Sequence, residues 1–166
     1  MKPDDITALA RDLGTALEAG GFVAATAESC TGGGVAEAIT RIPGSSRWFD
    51  RAFVTYSNAA KRDLLGVSDD LLRVHGAVSE ETVRTMLTGA LAHSEATVAV
   101  AVTGIAGPDG GTWEKPVGLV WFAWGAKGGR TTSESRHFGG DRDAIRAQAV
   151  AHALRGLLET LRAEAG

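Results

Sequence analysis

The chain has 166 residues, 44% of them hydrophobic and 22% charged, with a formal net charge of −3. That length suits one domain, over residues 1–166, able to bury roughly 70% of its unfolded surface without disulfide or metal staples. The acidic balance argues against generic polyanion binding, which needs a basic face, so no nucleic-acid partner is expected. A single cysteine excludes an intramolecular disulfide and suits a reducing compartment. The N-terminus has no signal-peptide layout, and no apolar run reaches the ~20 residues of a membrane span. The expected setting is cytoplasmic, with no membrane partner.

Along the chain, Ile6, Leu9, Leu13, Ala16 and Leu17 recur at helical spacing until Gly20-Gly21 stops the pattern. Residues 22–27 read as a short buried strand. Ser29-Cys30-Thr31 then leads through Gly32-Gly33-Gly34 into a helix carrying Val35, Ala38, Ile39 and Ile42. Residues 43–46 form a loop, and 52–56 a second strand. A helical stretch begins near Asn58, breaks at Gly66 and resumes at Ser68. Ser79 is a good N-cap, with Glu80 and Glu81 in the favourable first turn of a helix running to about His93. Residues 97–103, apolar throughout, predict a central third strand. After a helix-free glycine-rich loop, residues 117–124 predict a fourth strand and 125–129 a turn. Residues 131–138 alternate like an edge strand. A last helix starts near Asp141, with Ile145, Ala149, Leu154, Leu157, Leu158 and Leu161 on one stripe.

Helical connections make strands one to three parallel, and the direct links after strand three make strand four antiparallel to its neighbours. The expected fold class is α/β: a three-layer α/β/α sandwich around a five-stranded mixed sheet, the fourth strand antiparallel.

Four segments carry candidate chemistry. Ser29 sits between a strand and a glycine-rich helix start, where free N–H groups and the dipole suit an oxyanion or a phosphate. A simple helix cap is the competing reading. The segment 55–61, with Tyr56, Asn58 and Lys61, falls at the same carboxyl edge of the sheet, where ligands of open α/β sheets gather. A lysine in a dry site can lose its proton and serve a serine as base, although a solvated helix lysine is the commoner case. The segment 103–111, with Thr103, Gly104 and Gly107, follows a third strand end and can cradle a phosphate or ribose, or form a plain turn. Arg142 opens the last helix, where a cation opposes the dipole and so favours a ligand-binding role. His75, His93, His137 and His152 lack metal-ligand spacing, and no metal or cofactor is expected. Cys30 reads as a small packed residue rather than a nucleophile.

Together these segments resemble the CinA C-terminal family over residues 6–161. The carrying motifs are TAESCTGG (26–33), FVTYSNAAK (53–61), HGAVSE (75–80), TGIAGPDGG (103–111), EKPVG (114–118) and GDRD (140–143). The resemblance implies amidohydrolysis of nicotinamide mononucleotide to nicotinic acid mononucleotide and ammonia, without a cofactor. It implies Ser29 as nucleophile, Lys61 as base and Tyr56 in the same polar network. Backbone around Thr31, Gly32 and Gly33 would form the oxyanion hole, with Cys30 beside them among the substrate-binding residues. Asn58, Thr103, Gly104, Gly107 and Arg142 would line the nucleotide site. Lys61 is expected to be buried and neutral, its proton affinity lowered by desolvation and by a cation such as Arg142. A homo-oligomer, a dimer first, is expected. The alternative is a nucleotide-binding module linked to competence, sensing without turnover; the same glycine loops would serve it.

Overall fold

The structure, a computed structural model, describes residues 2–165. Helix α1 (Pro3–Gly20) leads to β1 (Ala24–Glu28), α2 (Gly34–Thr40), a 3-10 turn (Ser45–Arg47) and β2 (Phe49–Val54). Helices α3 (Asn58–Leu65), α4 (Asp69–His75) and α5 (Glu80–Ala92) precede β3 (Val98–Gly104). The chain continues through β4 (Leu119–Ala126) and β5 (Thr131–His137) to α6 (Arg142–Ala165).

The five strands lie in the order β2-β1-β3-β4-β5. β1 is parallel to both β2 and β3, and β4 is antiparallel to β3 and β5. The three-layer mixed sheet is therefore as expected, with β3 central and β5 at an edge. β1, β2 and β3 all end at one rim, where β5 also ends and α6 begins.

Helices α1, α2 and α6 cover one face of the sheet with a core of large side chains, among them Leu13, Leu17, Ile39, Phe122, Leu154 and Leu157. Each such buried side chain contributes ~1.5–3 kcal/mol. Helices α3, α4 and α5 cover the other face, and the strands meet them with small residues: Ala25, Ala27, Ala99, Ala101 and Ala123. The approach there is close. A Cβ at Gly89, in the last turn of α5, would stand 2.3 Å from the Leu65 carbonyl oxygen at the end of α3.

Several boundaries differ from the sequence reading, each for a local reason. β1 runs on to Glu28, whose carbonyl accepts the Thr55 N–H at 2.8 Å. β2 stops at Val54 because Thr55 and Tyr56 turn their carbonyls toward Lys61. β4 begins at Leu119, after Gly118 has taken a left-handed φ of 96°. Ser57, Ser68 and Ser79 cap α3, α4 and α5 through their hydroxyls, as such residues do at helix starts. Among the described residues no helix is long and apolar enough to cross a membrane.

Candidate active site

Alternation along β1 sends Ala25, Ala27 and then Ser29 toward α3–α5, and Thr26 and Glu28 toward α2 and α6. The register pairing Glu28 with Val102 is extended by Ser29, whose N–H donates to the Val102 carbonyl at 3.0 Å. Ser29 is buried at 8% exposure.

Lys61 approaches Ser29 from α3. It occupies the fourth position of that helix, and a helical side chain leans back toward the helix N-terminus. There its amine meets the carbonyls of Thr55 at 2.8 Å and Tyr56 at 3.3 Å, and the Ser29 hydroxyl at 2.9 Å. The side chain is 1% exposed. Burial pushes its pKa down from 10.5 to about 8. Arg142, expected to add to this shift, does not; its guanidinium is engaged elsewhere. As an ammonium the Lys61 side chain donates to all three oxygens; once it gives up a proton, two N–H groups still reach the carbonyls and the lone pair faces the Ser29 O–H.

Glu28, passed over in the sequence reading, fills the space behind Ser29. It is fully buried, and each carboxylate oxygen takes two donors. Oε1 accepts from Thr31 Oγ1 at 2.7 Å and Val35 N at 2.9 Å; Oε2 accepts from Thr26 Oγ1 at 3.1 Å and Ala36 N at 3.0 Å. Val35 and Ala36 are in the first turn of α2, so the expectation that this helix start receives an oxyanion or a phosphate is corrected: a carboxylate of the chain itself already uses those amides. The Gly32 N–H is likewise taken, by the Ser29 carbonyl at 3.0 Å. The N–H groups of Thr31 and Gly33 have no acceptor among the described residues, and that of Cys30 faces only its own thiol sulfur. Gly32 and Gly33 have φ of 57° and 97°, the left-handed region that side chains avoid, which is why glycine stands there.

The remaining predicted site residues divide. Cys30 packs its thiol into the α1–α2–α6 core, and burial raises its pKa to about 12, so only its backbone faces the loop. The Tyr56 hydroxyl accepts from Arg142 Nη2 at 2.9 Å, and its part in the lysine network is played by its main-chain carbonyl. Arg142 also donates to the Gly107 carbonyl at 2.7 Å. One guanidinium thus joins the β2–α3 loop, the β3–β4 loop and the start of α6. Thr103 is buried with its hydroxyl committed to the Ala77 carbonyl at 2.8 Å. Gly104 is required by the sheet, since a Cβ there would stand 2.9 Å from the Leu119 carbonyl oxygen. Asn58 is exposed at the first position of α3. The sequence reading also passed over Arg146, one turn beyond Arg142. It donates to the Cys30 carbonyl at 3.1 Å and the Thr31 carbonyl at 3.3 Å.

Residues 6–161 match the family model of the CinA C-terminal domain. The chain is 58% identical to the nicotinamide-nucleotide amidohydrolase PncC of Pseudomonas putida over 94% of this chain and 97% of that protein. It is 52% identical to the Escherichia coli K12 protein of the same name, over 95% of each. Among solved structures it superposes on the competence/damage inducible protein CihA from Agrobacterium tumefaciens with a TM-score of 0.93 and 49% identity, covering 96% of this chain and 98% of that one. On sequence and fold together, the chain belongs to the CinA C-terminal domain family.

Proposed function

We propose that the chain is an amidohydrolase that converts nicotinamide mononucleotide to nicotinic acid mononucleotide and ammonia through a Ser29 acyl-enzyme. The observation that carries the reading is the buried Lys61 amine 2.9 Å from the Ser29 hydroxyl, with its pKa lowered to about 8. A binding module has no use for a dry, weakly basic amine held against a serine, and the names of the similar amidohydrolases support the substrate class.

Lys61 takes the hydroxyl proton as Ser29 Oγ attacks the carboxamide carbon. The oxyanion forms beside the unpaired amides of the 30–33 loop. Collapse expels ammonia, which receives the proton from Lys61 and leaves a Ser29 ester. Lys61 then deprotonates a water that attacks the ester, and the proton returns to Ser29 as nicotinic acid mononucleotide departs. Arg142, with three donors uncommitted, is the handle for the 5′-phosphate. The reading places the protein in the cytoplasm, in keeping with a lone cysteine kept as a thiol.

The test is ammonia release from nicotinamide mononucleotide by the purified protein and by Ser29→Ala. The variant is expected to bind the mononucleotide and to lose turnover by several orders of magnitude. Near-normal kcat in a clean Ser29→Ala preparation would remove Ser29 from the mechanism.

A further inference from the structure

We propose that Arg146 is a positioning residue for the hydrolysis, aiming the Thr31 N–H at the oxyanion. The inference rests on the Ser29–Lys61 reading and deepens it. Thr31 is held at two of its own atoms and at the carbonyl of Cys30. Its hydroxyl donates to Glu28 at 2.7 Å, its carbonyl accepts from Gly34 N at 2.9 Å and Arg146 Nη2 at 3.3 Å, and the carbonyl before it accepts from Arg146 Nε at 3.1 Å. Its N–H alone has no acceptor among the described residues.

A trans peptide unit points its C=O and the next N–H in opposite directions. The Cys30–Thr31 unit is trans, since Gly107–Pro108 is the cis bond. Arg146 rises from α6, on one side of the sheet, whereas Lys61 and the Ser29 hydroxyl belong to the side of α3–α5. Drawing the Cys30 carbonyl toward α6 therefore turns the Thr31 N–H toward the serine. One flat guanidinium edge reaches two successive carbonyls, a span that a single ammonium does not cover. The close approach depends on Gly32, where a Cβ would lie 3.3 Å from Nη2. The reverse side of the contact is a cavity of about 280 Å3 lined by Thr31, Gly34, Asp143, Arg146 and Val150, large enough to admit free guanidinium once the side chain is cut away.

The experiment measures kcat and KM for nicotinamide mononucleotide across pH with Arg146→Ala and Arg146→Lys, beside Ser29→Ala and Lys61→Arg. Removing an oxyanion donor lowers kcat by ~10²–10³-fold, and losing only its aim is expected to lower kcat by ~10–100-fold in Arg146→Ala. KM and the pH midpoint should stay as in the wild type, and millimolar guanidinium should restore kcat several-fold. Wild-type kcat in Arg146→Ala, a loss confined to KM, a displaced pH midpoint or no rescue would each overturn the inference. If Arg146→Ala does not fold, Arg146→Lys decides: a several-fold lower kcat supports the role and an unchanged one refutes it. Active Ser29→Ala and Lys61→Arg would instead bring down the Ser–Lys reading itself.

Discussion

Glu28 and Lys61 are the charged side chains fully buried among the described residues, and they stand on opposite faces of the sheet at one rim. The carboxylate has all its acceptor capacity met, two donors on each oxygen. The amine faces neutral acceptors, and burial is the main cause of its altered proton affinity, with no carboxylate opposing it. A buried ion surrounded by donors is a fixed strut, whereas a buried ion without a counter-charge is driven toward its neutral form. Glu28 braces the segment that carries Ser29, and in the proposed mechanism Lys61 exchanges a proton with that serine.

The largest expected effect separates the two by chemistry. Lys61→Arg should lower kcat by roughly 10³-fold or more, because arginine stays protonated and cannot take the serine proton. Steady-state ammonia release checks it, and a variant within tenfold of the wild type would make Lys61 a strut as well. The next effect belongs to the other face. Glu28→Gln keeps the shape but turns an amide toward backbone N–H groups, leaving donors unmet at ~1–3 kcal/mol each. Urea unfolding should show about 3 kcal/mol lost, while the folded fraction keeps the wild-type pH midpoint; a stable Glu28→Gln with a shifted midpoint would reverse the assignment.

The third test follows protons through stability. Below a pH of about 8 the folded protein bears a buried charge, and its stability carries the full penalty. As pH rises from about 8 to 10.5, the unfolded chain keeps a proton that the folded chain has released, so stability rises. Lys61→Met removes this dependence. The stability difference between variant and wild type should move by up to about 3 kcal/mol in favour of the wild type across that window, read by urea melts at both ends. Over the same range kcat should climb through a midpoint near 8. The smallest effect concerns substrate reading. Arg142→Ala should cut kcat/KM for the mononucleotide by roughly 10- to 150-fold and hardly change the riboside. Equal losses on both would take the phosphate away from Arg142.

The two buried charges were unequally legible in the sequence. Ser29 and Lys61 stand in segments whose strand-end glycines and helix start are visible locally, and the sheet order brings those segments together. Glu28 sits one residue before the serine, in phase with Thr26 and at the end of a buried strand, which is a readable signal for an inward carboxylate. It was obscured because the helix start looked free for a ligand. Arg146 has no local signal beyond its spacing from Arg142, since its acceptors lie more than a hundred residues earlier. The Thr103 hydroxyl and the Tyr56 ring were aimed by partners distant in sequence, Ala77 and Arg142, which periodicity does not reveal.

The alanine lining under α3–α5 gives the two faces opposite vulnerabilities to sequence drift. Opposite α1, α2 and α6, harm comes from losing atoms, since a truncated leucine leaves a void. The strand positions beneath Lys61 are alanines, with little to lose and no room to gain. A methyl at Gly89 would push α5 off the Leu65 carbonyl, and a valine at Ala99 or Ala101 would lift the helices from the strands. Because Lys61 rides on α3, a displacement of even a few tenths of an ångström there falls on the amine–hydroxyl distance. Substitutions that add volume on this face can therefore silence the protein while leaving it folded, and a survey of tolerated residues should find a size ceiling where the other face shows a size floor.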